Sequence, residues 1–249
     1  MKTTKRIAII GATSSIAEHC ARQWAMQESV GLILVGRNQN KLEIVRADLL
    51  VRSPKTKVDI VVTDFLDPKV IGETVDALFA TGPIDIALIA HGTLPDQKEC
   101  ESDLNLTQST LEVNGVSPAL YAEAFAHHMG KLGLGSIAII GSVAGDRGRK
   151  SNYIYGAAKG LVTRYAQGLQ HRFANMNISV TLIKPGPTNT PMTAAMKGSE
   201  KFATPDEVAR LITSGIEAKK AIVYAPAKWW LIMMVIRHLP SFIFNKMNI

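Results

Sequence analysis

The chain has 249 residues, 47% of them apolar, enough to fill one sizeable α/β core. Its 28 Lys and Arg against 21 Asp and Glu give a formal charge of +7, but both signs are interspersed, without finger spacing or an aromatic-studded basic stripe, which argues against a primary nucleic-acid role. Cys20 and Cys100 are too few for a disulfide framework and stand at no metal-ligand spacing, so a reducing, cytoplasmic setting and no metal are expected.

The amino terminus carries basic residues before an apolar run, as a signal peptide would. The run "IAII" is only four residues long and a glycine turn follows, which reads as a strand. No stretch reaches the roughly 18 apolar residues of a membrane span. Short β-branched runs follow at 6–10, 31–36, 57–64, 84–90, 136–141, 178–186 and 220–226. Between most of them, residues 15–28, 68–80, 107–130, 154–174 and 205–217 show apolar positions at helical spacing. Strands apolar on both faces, joined by helical crossovers, predict a parallel sheet covered on both sides. The expectation is one doubly wound, Rossmann-like domain over residues 1–226 with a seven-stranded, mainly parallel sheet. An apolar, basic extension then occupies 227–249.

In such sheets ligands bind beyond the carboxyl ends of the strands. The first strand ends in "GATSSIA", residues 11–17, which lacks the G-x-G-x-x-G fingerprint but keeps strand, small-residue turn and helix. Gly11 can take the turn, while Thr13, Ser14 and Ser15 bring hydroxyls and amides to a helix N-terminus, where phosphate is favoured. A plain Ser-rich helix cap is the other reading. The second strand ends in Gly36, Arg37 and Asn38, where folds that bind NAD usually place an acid on the ribose 2′-hydroxyl. A guanidinium there suits a 2′-phosphate, unless Arg37 is simply solvated. Taken with the Ser-rich turn, it favours NADP(H).

"GSVAGDRGRKSNYIYGAAKG", residues 141–160, concentrates the reactive side chains. Tyr155 and Lys159 are four apart and share a helical face. Ser142 closes a predicted strand, and Asn114 lies in the helical segment before it. Hydride transfer to a carbonyl needs a hydroxyl that protonates the alkoxide, and a tyrosine beside an ammonium can be tuned toward that task from its free pKa near 10. A serine hydroxyl on the same oxygen would stabilise the growing charge.

From about residue 5 to 226 the chain resembles the single-domain short-chain dehydrogenase/reductases. The likeness rests on "GATSSIA", Asp64, "AHG" at 90–92, Asn114, Ser142 with Tyr155-x-x-x-Lys159, and "KPGPTNT" at 184–190. The resemblance implies Tyr155 as acid/base, Ser142 as carbonyl donor, Lys159 as tyrosine tuner and ribose ligand, and Asn114 as anchor of a water relay. It places NADP(H) against Gly11, Thr13, Ser14, Ser15, Ile16, Arg37 and Asn38 at one end. Asp64 and Phe65 would meet the adenine, Ala90, His91 and Gly92 the adenosine ribose. Pro185, Gly186, Thr188 and Thr190 would hold the nicotinamide, and a homo-oligomer is expected. The chain departs from the family in Ser15 and Ala17, which replace turn glycines, and in Ile-Ala-His-Gly, which replaces Asn-Asn-Ala-Gly. Larger relatives that dehydrate or epimerise nucleotide sugars need a C-terminal substrate domain for which no residues remain. A non-catalytic dinucleotide sensor would be expected to have lost part of the tetrad.

The segment 226–249 has no acidic residue, and its apolar run 229–236 is too short to span a bilayer. It suits peripheral contact at the inner face of a membrane, a cover over the substrate mouth, or a dimer contact. Together with "SVAGDRGRKSNYIYGAAK" and "KPGPTNTPM", it resembles the reductases that act on decaprenylphosphoryl-2-keto-pentose. That resemblance implies a phosphate-bearing, lipid-linked ketone with Arg147, Arg149 and Lys150 on its phosphate. A small soluble ketone or 3-oxoacyl substrate is the rival.

Overall fold

The computed structural model describes residues 4–196 and 198–247; residues 1–3 and 197 of the expected domain and 248–249 of the expected extension lie outside the described residues. Seven parallel strands form one sheet in the order β3-β2-β1-β4-β5-β6-β7. They are β1 (Lys5–Ile10), β2 (Val30–Gly36), β3 (Lys57–Val62), β4 (Ile86–Ile89), β5 (Leu134–Ile140), β6 (Asn177–Pro185) and β7 (Ile222–Ala225). All six pairings are parallel.

The strands carry apolar residues on both faces because the sheet is covered on both sides. The pleat divides them strictly. Ile7 and Ile9 enter one core with Leu32 and Leu34, where α1 (Ser15–Ala25), α2 (Gln39–Arg52) and α8 (Pro205–Glu217) pack. Ala8 and Ile10 enter the other with Ile33 and Val35, beneath α3 (Pro68–Ala80), α6 (Ser117–Leu132) and α7 (Tyr153–Arg172). A one-residue register slip would exchange the two sets, so burial on both faces fixes the pairing.

Three helical features differ from the periodicity. The helix α2 was not among the predicted segments, because its buried face is only Leu42, Val45 and Leu49. Its start is set by Asn38, whose side chain accepts a hydrogen bond from the Lys41 amide. A short helix, α4 (Gln97–Ser102), also escaped the pattern. The single segment expected at 107–130 divides into α5 (Leu104–Leu111), a π turn at Glu112–Val116, and α6. Apolar spacing runs through all three, so the one-residue insertion in the ladder leaves no mark in the sequence.

Beyond β7 the chain forms α9 (Lys228–His238) and α10 (Ser241–Phe244). The helix α9 is seated by Met233, which is fully buried, and by Trp229, whose indole lies directly over Gly186 where a Cβ would stand.

A buried ion pair joins the last two strands to the loop after β5. Lys184 on β6 donates to the Asp146 carboxylate, and both side chains are only 3% exposed. Tyr224, the cross-strand neighbour of Lys184 on β7, donates to the second oxygen of Asp146 at 2.9 Å. Burial first, and then the Asp146 charge, push the Tyr224 phenol up to about 12. Removing one partner strands a charge in the interior, so Asp146→Ala is expected to cost about 3–5 kcal/mol of stability. The double variant Asp146→Ala/Lys184→Met should recover most of that loss in a denaturant titration. Wild-type stability of Asp146→Ala would show that the pair does not hold the loop.

Candidate active site

Strand order decides where a site can form. The crossovers reverse direction between β1 and β4, opening a crevice beyond their carboxyl ends. Gly11 turns the chain there at φ +81°, a conformation L side chains rarely adopt. A Cβ on Gly11 would also come within 2.6 Å of the His91 backbone nitrogen. The ends of β1 and β4 therefore approach through backbone.

A cleft of about 610 Å³ follows. Gly11, Thr13, Ser14, Ser15 and Ile16 form its near wall, and Phe65, His91 and Gly92 lie opposite. Ser14 is the N-cap of α1, yet its hydroxyl makes no capping bond, which leaves it and the first-turn amides for an anion. Arg37, Asn38 and Lys41 close the far end. Lys41 was missed by sequence reasoning, although it lies one helical turn beyond Asn38. Among the described lining residues there is no carboxylate. Free hydroxyls and amides at one point and two cations at another suit a dinucleotide with a terminal phosphate.

The cleft continues into a second cavity of about 230 Å³, lined by Asn114, Ser142, Tyr155 and Lys159 together with Ala90 and Arg149. Pro185, Gly186, Thr188 and Thr190 form one wall of it. The four residues of the tetrad come from three segments. Ser142 caps the short turn Val143–Asp146, accepting from the Ala144 amide at 3.1 Å. Asn114 is fully buried in the π turn, where its Oδ1 accepts from the Thr93 amide at 2.9 Å and its Nδ2 donates to the Thr110 carbonyl at 2.9 Å. Tyr155 and Lys159 sit on the first two turns of α7.

Backbone contact locks these segments together. A Cβ on Gly145 would meet the Lys159 carbonyl carbon and oxygen at 2.6 Å, and one on Gly156 would meet the Ala144 oxygen at 2.9 Å. The π turn approaches the same helix at Gly115, where a Cβ would stand 3.1 Å from the Ala158 oxygen.

Electrostatics differ from expectation at the tyrosine. Burial pushes the Tyr155 phenol up to about 12, with Ser142 pulling the other way. The ammonium of Lys159 lies 5.7 Å from the Tyr155 ring centroid and donates to the Ile140 carbonyl at 3.1 Å. Burial lowers Lys159 itself to about 8. The expected depression of Tyr155 by Lys159 is thus not seen: desolvation of the phenolate dominates in so enclosed a pocket, and the opposing pull comes from Ser142. At neutral pH the phenol holds its proton and most of Lys159 is charged.

His91 is held neutral, near 3, by burial and then by the charges of Lys159 and Arg37. Ser117 donates to the Phe65 carbonyl at 2.5 Å, so the 2.8 Å contact between His91 Nε2 and Ser117 Oγ places the proton on Nε2. The ring packs against both Phe65 and Tyr121.

Three predicted site residues lie elsewhere, one of them Lys150, which is exposed and outside the cavity lining. Asp64 stays outside the cleft wall, exposed, with one carboxylate oxygen accepting from the Leu66 amide at 2.7 Å. That bend brings Phe65 and Leu66 to the cleft instead. Arg147 is absent from the cavity. Its guanidinium donates to the carbonyls of Ile236 and Leu239 at 2.6 Å each and lies 3.8 Å from the Phe244 ring centroid. The terminal carbonyls of α9 lack helical partners and capture it. Arg149 does line the cavity, half-buried, with its Nε unpartnered among the described residues. Ser151 and Asn152 flank it, while Leu94, Val143, Met192 and Met196 supply an apolar side that sequence reasoning did not name.

A doubly wound sheet with an anion-receptive crevice, continuous with a pocket of serine, tyrosine and lysine, defines a nucleotide-dependent oxidoreductase. Residues 5–201 match the family model of the short chain dehydrogenases, and the chain belongs to that family. It is 27% identical over 247 residues to an uncharacterised oxidoreductase of Streptomyces coelicolor, covering 98% of this chain and 96% of the relative. It is 28% identical over 242 residues to one of Mycobacterium tuberculosis, covering 97% and 96%. Among solved structures, a short-chain dehydrogenase from Sphingobium yanoikuyae in complex with NADPH superposes with a TM-score of 0.81 at 22% identity, covering 98% of this chain and 96% of that one. An actinorhodin polyketide ketoreductase with NADPH gives 0.78 at 22%, covering 89% and 96%. At these identities the likeness is one of fold.

Proposed function

We propose that the protein is an NADP(H)-dependent reductase of a ketone, or the dehydrogenase of the matching secondary alcohol. The single observation that carries this reading is the continuity of two spaces. A cleft with no carboxylate among its described lining residues, ending in Arg37 and Lys41, opens directly into the pocket of Ser142, Tyr155 and Lys159.

NADP(H), when bound, supplies or accepts the hydride. The chain's own residues handle the oxygen and its proton. Ser142 donates to the carbonyl oxygen and stabilises its developing charge. Tyr155, protonated at neutral pH, hands its proton to that oxygen as the alcohol forms. The charge on Lys159 then eases the phenolate left behind. Arg37 and Lys41 would hold a 2′-phosphate, with Ser14 and the first turn of α1 on the pyrophosphate.

The substrate pocket favours a ketone with a polar or anionic group toward Arg149 and an apolar body against Leu94, Met192 and Met196. A lipid-linked, phosphate-bearing keto-sugar meets that description, with Arg149 in the part first expected of Arg147, Arg149 and Lys150 together. Short-chain 3-oxoacyl compounds meet only its apolar half.

The proton donor is tested by Tyr155→Phe, which should lower turnover a hundredfold or more while NADPH still binds. In the wild type, reduction should be steady below neutrality and fall as pH rises through about 8, where Lys159 loses its proton. A flat profile to pH 10, or near-normal turnover of Tyr155→Phe, would overturn the assignment.

Cofactor choice has its own readout. NADPH should be preferred to NADH by at least about tenfold, or 1.4 kcal/mol. The double variant Arg37→Asp/Lys41→Ala should abolish that preference in titrations of nucleotide binding. Equal binding of both nucleotides by the wild type would refute the 2′-phosphate site.

A further inference from the structure

The outward face of the C-terminal helices is unlike the rest of the surface. Single exposed apolar side chains are ordinary, but a contiguous set marks an interaction site. On α9, Trp230 is 53% exposed, Leu231 60%, Met234 40% and Val235 56%. Their spacing of i, i+1, i+4 and i+5 makes one continuous stripe opposite the buried Met233. Phe242 on α10, 71% exposed, adds a further large apolar side chain beyond the turn at Pro240.

Charge surrounds this stripe with one sign. On a helix of 3.6 residues per turn, Lys228 and Arg237 fall on its two opposite edges. Lys246 follows α10, and no Asp or Glu occurs after Glu217. A second copy placed on this face about a two-fold axis would bring these cations together, with no Asp or Glu side chain of the segment between them. A membrane span is excluded by length, since no described helix is long and apolar enough to cross a bilayer. An apolar stripe edged by long cationic side chains matches an anionic lipid surface. The stripe enters the headgroup–acyl boundary while Lys228 extends to the phosphates.

The face is also formed in advance. Arg147 binds the terminal carbonyls of α9 and lies against the Phe244 ring of α10, which fixes the two helices to each other and to the loop after β5. We propose that the outward face of α9 and α10 is an interfacial docking surface for an anionic bilayer, preset by the Arg147 clamp. This proposal stands on the helices alone and does not depend on the reaction. Since Trp229 rests on Gly186 in the cleft wall, docking would hold the substrate cavity close to the lipid.

Cosedimentation of the full chain with sucrose-loaded vesicles tests it, comparing phosphatidylcholine alone with an equal mixture of phosphatidylcholine and phosphatidylglycerol. The wild type should partition onto the anionic vesicles, and less so as salt is raised. The double variant Leu231→Glu/Val235→Glu, both positions exposed, should lower the partition coefficient about tenfold or more. Lys228→Gln should lower it about fivefold. Arg147→Gln should weaken it while circular dichroism stays native. No binding to anionic vesicles would overturn the proposal, as would equal binding by the Leu231→Glu/Val235→Glu protein. So would a dimer in sedimentation velocity that this double variant dissolves, with vesicles left free, because the face would then belong to a second copy.

Discussion

The close approach of the turn after β5 to the helix α7 is the constraint on which the site depends. Ser142 and Lys159 belong to segments that touch through main chain at Gly145, where no side chain of any size fits without displacing one of them. The π turn carrying Asn114 meets the same helix at Gly115. Four polar side chains thus take their positions from rigid backbone contacts, and not from long flexible reaches. From the other side, Lys184 and Tyr224 hold Asp146, the last residue of that turn, in a buried network. Preorganisation of this kind suits donors that must already be aimed when charge develops on the substrate oxygen.

The neighbouring residues of one loop serve different ends. Asp146 turns inward to the ion pair, Arg147 reaches outward to the terminal helices, and Arg149 faces the cavity. The loop therefore connects sheet, tail and substrate pocket within a few residues. Trp229 over Gly186 makes a second connection between tail and cleft wall. The C-terminal helices are consequently part of the site's framework, although the family match ends at residue 201.

Much of this was legible in the sequence. The seven strands were readable because a sheet covered on both faces leaves unbroken apolar runs, and the tetrad because Tyr155 and Lys159 share a helical face whatever the tertiary structure. The helix α2 was not, since only three of its residues are buried and its start depends on an asparagine cap. The π turn escaped because one inserted residue does not disturb apolar spacing. Arg147 misled because proximity in sequence to Ser142 and Tyr155 says nothing of helix ends ninety residues away. The direction of the Tyr155 shift followed from enclosure, a tertiary quantity that the spacing of Tyr155 and Lys159 does not carry.

The measurement that bears most directly on this account is the behaviour of Gly145→Ala. The added methyl must push the turn away from the Lys159 carbonyl, so Ser142 should lose its alignment with Tyr155. The account predicts that ketone turnover falls by tenfold or more, about 1.4 kcal/mol or more in the barrier. NADPH affinity, which the proposed function assigns mainly to Ser14, Arg37 and Lys41, should change far less, and the protein should remain folded by circular dichroism. Wild-type turnover in a folded Gly145→Ala enzyme would contradict the claim that main-chain contact at this point aligns the catalytic groups.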